Sequence, residues 1–361
     1  MSLISAAFIC LKGLELTPAE ANLLRRYHPA GLTLFKRNID HPDQVKKLTA
    51  DIRDAVGRDD FLIAVDQEGG LVRRLRPPHW PDYVSQSQLG ALPEPQATEA
   101  IRLHATLIAR DLRDLGINVV FAPVADTLHT DTTGAIASRC FGADPAVVAK
   151  YASLMARTYM ENGICPCMKH LPGHGLANTD SHIGLPVIDC DLDKIEKDFL
   201  PFREMAGFIP LGMTAHVVLP MIDEKPVTQS KNGIDLIRRQ IGFDGLLITD
   251  AIEMKALKGS LTEKTKLSLG AGCDLVCYCS GHDQNNPQMA EENEIVLKAA
   301  GPISDRAFER LETVGHVIKT PVPFKDMDVG QKRYADLTNP VRDVPLKGPD
   351  YTENWSDREP K

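Results

Sequence analysis

The sequence predicts an α/β protein, a (β/α)8 barrel of the TIM type, with a doubly wound open sheet as the alternative. Three observations carry the prediction. Eight short apolar runs rich in strand-forming residues recur along the chain. Amphipathic stretches of helical period lie between them. The 361 residues are long enough to hold eight such strand-helix units.

Taken in order, the apolar runs fall at residues 6–11, 31–35, 61–66, 117–122, 166–170, 211–216, 246–250 and 274–279. Each is too short for a helix and apolar on both faces, as a strand covered on both sides of a parallel sheet must be. Helical patterns such as those at 43–56, 97–115, 146–162, 192–205 and 233–241 lie between them, and the alternation of strand with helix implies parallel strands joined by crossovers. From residue 320 the alternation stops. Pro321, Pro323, Pro340, Pro345, Pro349 and Pro360 punctuate a charged segment with no apolar period, so the expected division is a barrel over 1–319 and an irregular tail over 320–361.

Composition narrows the function classes. With 43% hydrophobic and 25% charged residues the chain belongs with globular proteins rather than with disordered, collagen-like or coiled-coil ones. A net charge of −8 argues against nucleic acid as partner, because the basic surface that neutralises phosphates is lacking overall. No apolar run approaches the eighteen or so residues that span a bilayer. Residues 1–10 lack a basic lead-in and a long apolar region, so they read as a first strand rather than a signal peptide, and the expected location is cytoplasmic. Cys165 and Cys167, like Cys277 and Cys279, sit two apart inside apolar runs, as buried strand thiols do. Nothing in the sequence sets an oligomeric state.

In a barrel the reactive groups stand at the C-terminal ends of the strands. Here the runs end in Asp66-Gln-Glu-Gly-Gly, Lys169-His170, His216 and Thr249-Asp250. One carboxylate in such a place is as readily a helix cap or an ion-pair partner; convergence from several strands points to a site. The densest segment runs from Lys169 to His182, where three histidines, a lysine and an aspartate share a loop shaped by Pro172, Gly173 and Gly175. Metal binding favours histidines at His-x-His or helical i, i+4 spacing, whereas these are four and eight apart on a Pro/Gly loop, so no metal site is expected. Acid/base chemistry fits better. Asp180 lies two residues from His182, close enough to fix one imidazole tautomer and raise its basicity, and Asp250 can serve as a nucleophile toward an acetal carbon.

The segments Ala64-Val-Asp-Gln-Glu-Gly-Gly70, Phe121-Ala-Pro-Val-Ala-Asp126, Arg139-Cys-Phe-Gly142, Lys169 to His182 and Thr214-Ala-His216 resemble the bacterial β-N-acetylhexosaminidases of glycoside hydrolase family 3, the NagZ type, over roughly residues 5–300. The resemblance implies a (β/α)8-like barrel that retains anomeric configuration, with Asp250 as nucleophile, His182 as acid/base and Asp180 as its orienting carboxylate. It further implies that Asp66, Arg74, Arg139, Lys169 and His170 bind the sugar. His174 itself reads as loop structure. The implied substrate is a muropeptide with N-acetylglucosamine β-1,4-linked to 1,6-anhydro-N-acetylmuramic acid, and no cofactor is implied. Two residues depart from the family pattern: Ala251 follows the nucleophile where a second acid is usual, and Leu71 replaces an arginine after Glu-Gly-Gly. The rival functions are a non-catalytic sugar-binding barrel and a metal-dependent barrel hydrolase.

Overall fold

All eight expected strands form, and they close on one another. In the computed structural model, which describes residues 4–280, 286–320, 327–346 and 348, the barrel strands are β1 (Ser5–Cys10), β2 (Pro29–Leu34), β3 (Leu62–Val65), β6 (Val119–Val120), β7 (Cys165–Leu171), β8 (Leu211–Thr214), β9 (Leu246–Ala251) and β10 (Leu275–Cys277). A separate antiparallel hairpin, β4 (Gln67–Gly69) and β5 (Val72–Arg73), follows β3. The barrel order is β1-β10-β9-β8-β7-β6-β3-β2, with every neighbouring pair parallel. The open-sheet alternative is thereby excluded.

Period-two alternation sorts each strand's residues between two cores. Ala6, Phe8, Leu62, Ala64, Phe121, Cys165, Cys167, Met213, Ile248 and Cys277 fill the interior. Their neighbours Ala7, Ile9, Ile63, Val65, Leu247 and Val276 belong to the outer core with the helix faces. All eight cysteines are free thiols, and the four expected to be buried are.

The helices in chain order are α1 (Pro18–Tyr27), α2 (Pro42–Val56), α3 (Gln86–Gly90), α4 (Gln96–Asp114), α5 (Gly134–Ala137), α6 (Pro145–Glu161), α7 (Leu192–Asp198), α8 (Leu200–Ala206), α9 (Lys231–Asp235), α10 (Leu261–Ala271), α11 (Met289–Ala300), α12 (Asp305–Ile318) and α13 (Met327–Arg342). The single helix expected over 192–205 is two, α7 and α8. Pro201 has no N–H to offer the Lys197 carbonyl, and the chain restarts its helix there. A π-helical turn, Leu236–Ile241, likewise extends α9. Ile303, Ala307 and Val314, on and just before α12, join the interior core.

The tail is the main correction. Where an irregular segment is expected, residues 327–342 form a helix that buries Tyr334, Leu337, Thr338 and Val341. These stand at i, i+3, i+4 and i+7, an apolar stripe that the prolines obscured. Pro340 sits in the last turns, and the stripe packs on α4 and α3. Residues 321–326, 347 and 349–361 of the expected tail lie outside the described residues.

Candidate active site

The strands deliver their charged ends to one rim. Asp66 follows β3, Lys169 and His170 lie in β7, and Asp250 is near the end of β9. Arg74 follows β5, and Arg139 stands just past α5 in the loop after β6.

Five of these side chains and one more make a single network. Lys169, only 2% exposed, places Nζ 3.0 Å from Asp66 Oδ1 and 2.6 Å from Glu68 Oε1. Arg139 donates through Nε and Nη2 to both Glu68 oxygens, at 2.8 and 2.9 Å. Arg74 Nη2 donates to Asp66 Oδ2 at 3.2 Å. Three cations thus share two carboxylates. Burial would raise the pKa of both acids, but Lys169 with Arg74 at Asp66, and Arg139 with Lys169 at Glu68, outweigh it and hold both below the usual carboxylate range. Burial would lower that of Lys169, and Glu68 and Asp66 reverse this.

His170 joins through its ring. Its Nε2 lies 3.2 Å from Arg139 Nη2, a group that can only donate, so Nε2 is the acceptor and the proton sits on Nδ1. That Nδ1–H donates to Asp126 Oδ2 at 2.7 Å, while Asp126 Oδ1 accepts the His174 backbone N–H at 2.6 Å. Burial and Arg139 keep the imidazole neutral, well below its ordinary range. The Lys169–His170 peptide bond is cis.

Asp250 lies in the field of three histidines. Burial alone would raise its pKa; His216, His170, His182 and the N–H of Ala251, which Oδ1 accepts at 2.7 Å, more than offset this and favour the carboxylate. His216 Nε2–H donates at 3.0 Å to the Ala251 carbonyl, steadying the peptide beside Asp250, and its Nδ1 meets Thr228 Oγ1 at 2.8 Å.

The loop after β7 carries the dyad. Asp180 Oδ1 accepts both the His182 backbone N–H at 2.9 Å and His182 Nδ1–H at 2.7 Å, so one carboxylate oxygen fixes backbone and ring together. Nε2 is then the atom through which this ring exchanges a proton with a reacting group. The loop's base is fastened to the loop after β6: Thr132 Oγ1 donates to the Gly175 carbonyl at 2.6 Å, and Thr133 N donates to the Ala177 carbonyl. A side chain at 175 is excluded, because a Cβ would stand 1.9 Å from the Thr127 carbonyl oxygen. His174, placed by the sequence as loop structure, is buried edge-on to His170 with ring centroids 5.9 Å apart.

All eight sequence-derived residues therefore gather at this rim, the binding set in one ion network and Asp180 with His182 as a bonded pair. Two functional groups escaped the sequence reading. Glu68 and Asp126 lie inside motifs it quoted, but neither is given a role there. The available signal was charge arithmetic: three cations converging on Asp66 alone would leave a buried excess of positive charge, which calls for a second acid nearby.

Fold and site together define a glycosidase built on a (β/α)8 barrel. Residues 5–310 match the Glycosyl hydrolase family 3 N terminal domain. The chain belongs to glycosyl hydrolase family 3. It is 35% identical over 273 residues to a beta-hexosaminidase of Pseudomonas aeruginosa, covering 74% of this chain and 80% of that one. Against the beta-hexosaminidase of Chromobacterium violaceum it is 34% identical over 310 residues, 84% of each chain. Among solved structures, native NagZ from Neisseria gonorrhoeae superposes with a TM-score of 0.79 at 30% identity, over 92% of this chain and 98% of that one. A family 3 beta-N-acetylglucosaminidase from Paenibacillus gives 0.80 at 28% identity, over 92% of this chain, which spans 66% of that longer protein.

Proposed function

We propose that this chain is a retaining exo-β-N-acetylglucosaminidase that removes terminal β-linked N-acetylglucosamine from muropeptides bearing 1,6-anhydro-N-acetylmuramic acid, as in peptidoglycan recycling. The observation that carries the reading is the Asp180–His182 pair beside an ionised Asp250. Solved relatives described as a beta-N-acetylglucosaminidase and as NagZ support the sugar.

In the first step Asp250 attacks the anomeric carbon, the bond from that carbon to the leaving oxygen breaks, and His182 Nε2–H gives its proton to that oxygen. In the second, His182 takes a proton from water as the water oxygen attacks the same carbon and the ester to Asp250 breaks. Two inversions restore the starting configuration. Asp180 holds the ring and stabilises the imidazolium. Asp66, Arg74, Arg139, Lys169 and His170 grip the sugar hydroxyls, for which charge-assisted bonds are well suited. A cytoplasmic site of action fits eight free thiols, two of them, Cys277 and Cys279, hydrogen-bonded sulfur to sulfur at 3.5 Å rather than joined in a disulfide. Among the described residues no helix is long and apolar enough to cross a membrane.

The test is release of p-nitrophenol from the β-N-acetylglucosaminide against the β-glucoside, with and without chelator. The acetamido sugar should be strongly preferred and chelator should change nothing. Equal rates on both sugars, or loss of activity on chelation, would overturn the assignment.

A further inference from the structure

The ion network that holds the sugar-binding cations has a support that reaches the far end of the chain. Glu68, which grips Arg139 and Lys169 with its carboxylate, has its backbone carbonyl bonded to His104 Nε2 of α4 at 3.2 Å. A carbonyl can only accept, so Nε2 carries the proton. His104 is fully buried, and burial pulls its pKa down to about 4, leaving Nδ1 as an acceptor. Tyr334 of α13 supplies the donor: its hydroxyl lies 2.9 Å from His104 Nδ1 and in turn accepts the Val84 N–H at 3.2 Å. Every hydrogen in this chain is assigned in one direction, from Val84 through Tyr334 and His104 to Glu68.

The surroundings leave the β4–β5 hairpin little other freedom. Gly69 has φ +93°, and a Cβ there would stand 2.2 Å from the Val84 carbonyl oxygen. Gly70 N donates to the Tyr83 carbonyl at 2.8 Å, and the Tyr83 ring packs against both His104 and Tyr334. The helix bearing Tyr334 is itself tied down, since Gln88 Nε2 donates to the carbonyls of Val341 and Arg342.

We propose that Tyr334, acting through His104, is a positioning residue for sugar binding: the C-terminal helix sets the place of the Glu68 peptide, and so of Arg139 and Lys169. The inference rests on the reading of Arg139 and its neighbours as the sugar site. It predicts an effect on binding rather than on chemistry, because the relay touches no reacting atom.

The experiment measures the inhibition constant of N-acetylglucosamine, with kcat and KM for the p-nitrophenyl β-N-acetylglucosaminide, in three full-length variants, each checked for a cooperative thermal transition. Tyr334→Phe removes both hydroxyl bonds, of which the one to His104 leads toward Glu68, and for that one neutral hydrogen bond it should raise the inhibition constant and KM about fivefold, with kcat within about twofold. Leu337→Ala, on the same helix and buried in its apolar stripe, should lower the melting temperature while leaving the inhibition constant within about twofold. Arg139→Ala should raise it most. An unchanged inhibition constant in Tyr334→Phe beside a raised one in Arg139→Ala overturns the relay and leaves the sugar site standing. Equal increases in Tyr334→Phe and Leu337→Ala reduce Tyr334 to a structural role and also overturn it. No increase in Arg139→Ala removes the sugar site, and the relay falls with it.

Discussion

Two halves of one rim are held in opposite ways. On the side of β3 and β7, Asp66, Glu68, Arg74, Arg139 and Lys169 lock one another in a mostly buried network, with Lys169 and Glu68 each 2% exposed. On the loop after β7, His182 is a quarter exposed and leans on the Asp180 carboxylate two residues away. The contrast matches the work proposed for each side. Recognition of hydroxyls rewards groups already fixed and desolvated, since no ordering cost remains to be met on binding. A group that donates and then recovers a proton needs access to leaving group and water, and a loop can bring it in and withdraw it. Stability should therefore reside in the first half and chemistry in the second, with Asp250 between them.

The largest effect is expected at Asp250. Asp250→Ala should lower turnover by about three orders of magnitude or more with the melting temperature little changed, because the covalent route is lost. Retention of more than a few per cent of activity, with wild-type contamination excluded, would place the nucleophile elsewhere.

His182→Ala sharpens the chemical half. Turnover of natural disaccharides should fall about 10²- to 10⁴-fold, and aryl glycosides with acidic leaving groups should suffer much less, since they need little proton donation. The measurement is kcat/KM against leaving-group pKa, which reports the glycosylation step; a dependence no steeper than that of the parent would rule out His182 as the acid. Asp180→Ala should act in the same direction through the same ring.

Glu68→Ala tests the other half. It leaves Arg139 and Lys169 buried together without their shared acid and should cost about 3–5 kcal/mol of unfolding free energy in urea, whereas His182→Ala should stay within about 0.5 kcal/mol. Similar losses in the two variants would erase the distinction between the halves.

The smallest effect is a slope. His104 has a folded pKa depressed to about 4, so between its ordinary value and pH 4 the unfolded chain binds a proton that the folded one refuses. Stability from this group is full above about pH 6.5 and declines as pH falls toward 4, by up to about 3 kcal/mol. Further loss comes below, where Asp66 and Glu68, both depressed, must protonate. Melting temperature against pH for the parent and for His104→Gln measures the first part: the variant should be flatter between pH 6.5 and 4, and an unchanged slope would assign the loss to the other buried histidines.

What the sequence determined by itself was whatever rests on local pattern. Eight apolar runs specified eight strands, because a strand buried on both faces leaves few polar positions to confuse the reading; that the sheet closes into a barrel was decided only by the tertiary structure. Asp180 and His182 were legible as a pair because two residues of separation suffice for their bond. The family motifs marked Asp66, Arg74, Arg139, Lys169, His170 and Asp250 as one set. Tertiary structure alone decided how these meet. Glu68 faces Arg139 across 71 residues, and Tyr334 reaches His104 across 230; neither separation leaves a periodic trace in the chain. The tail shows the same limit from the other side. Tyr334, Leu337, Thr338 and Val341 do mark a helix face, but one stripe among prolines gains its stability only from the α3 and α4 surfaces that bury it, and those surfaces exist only once the barrel has closed.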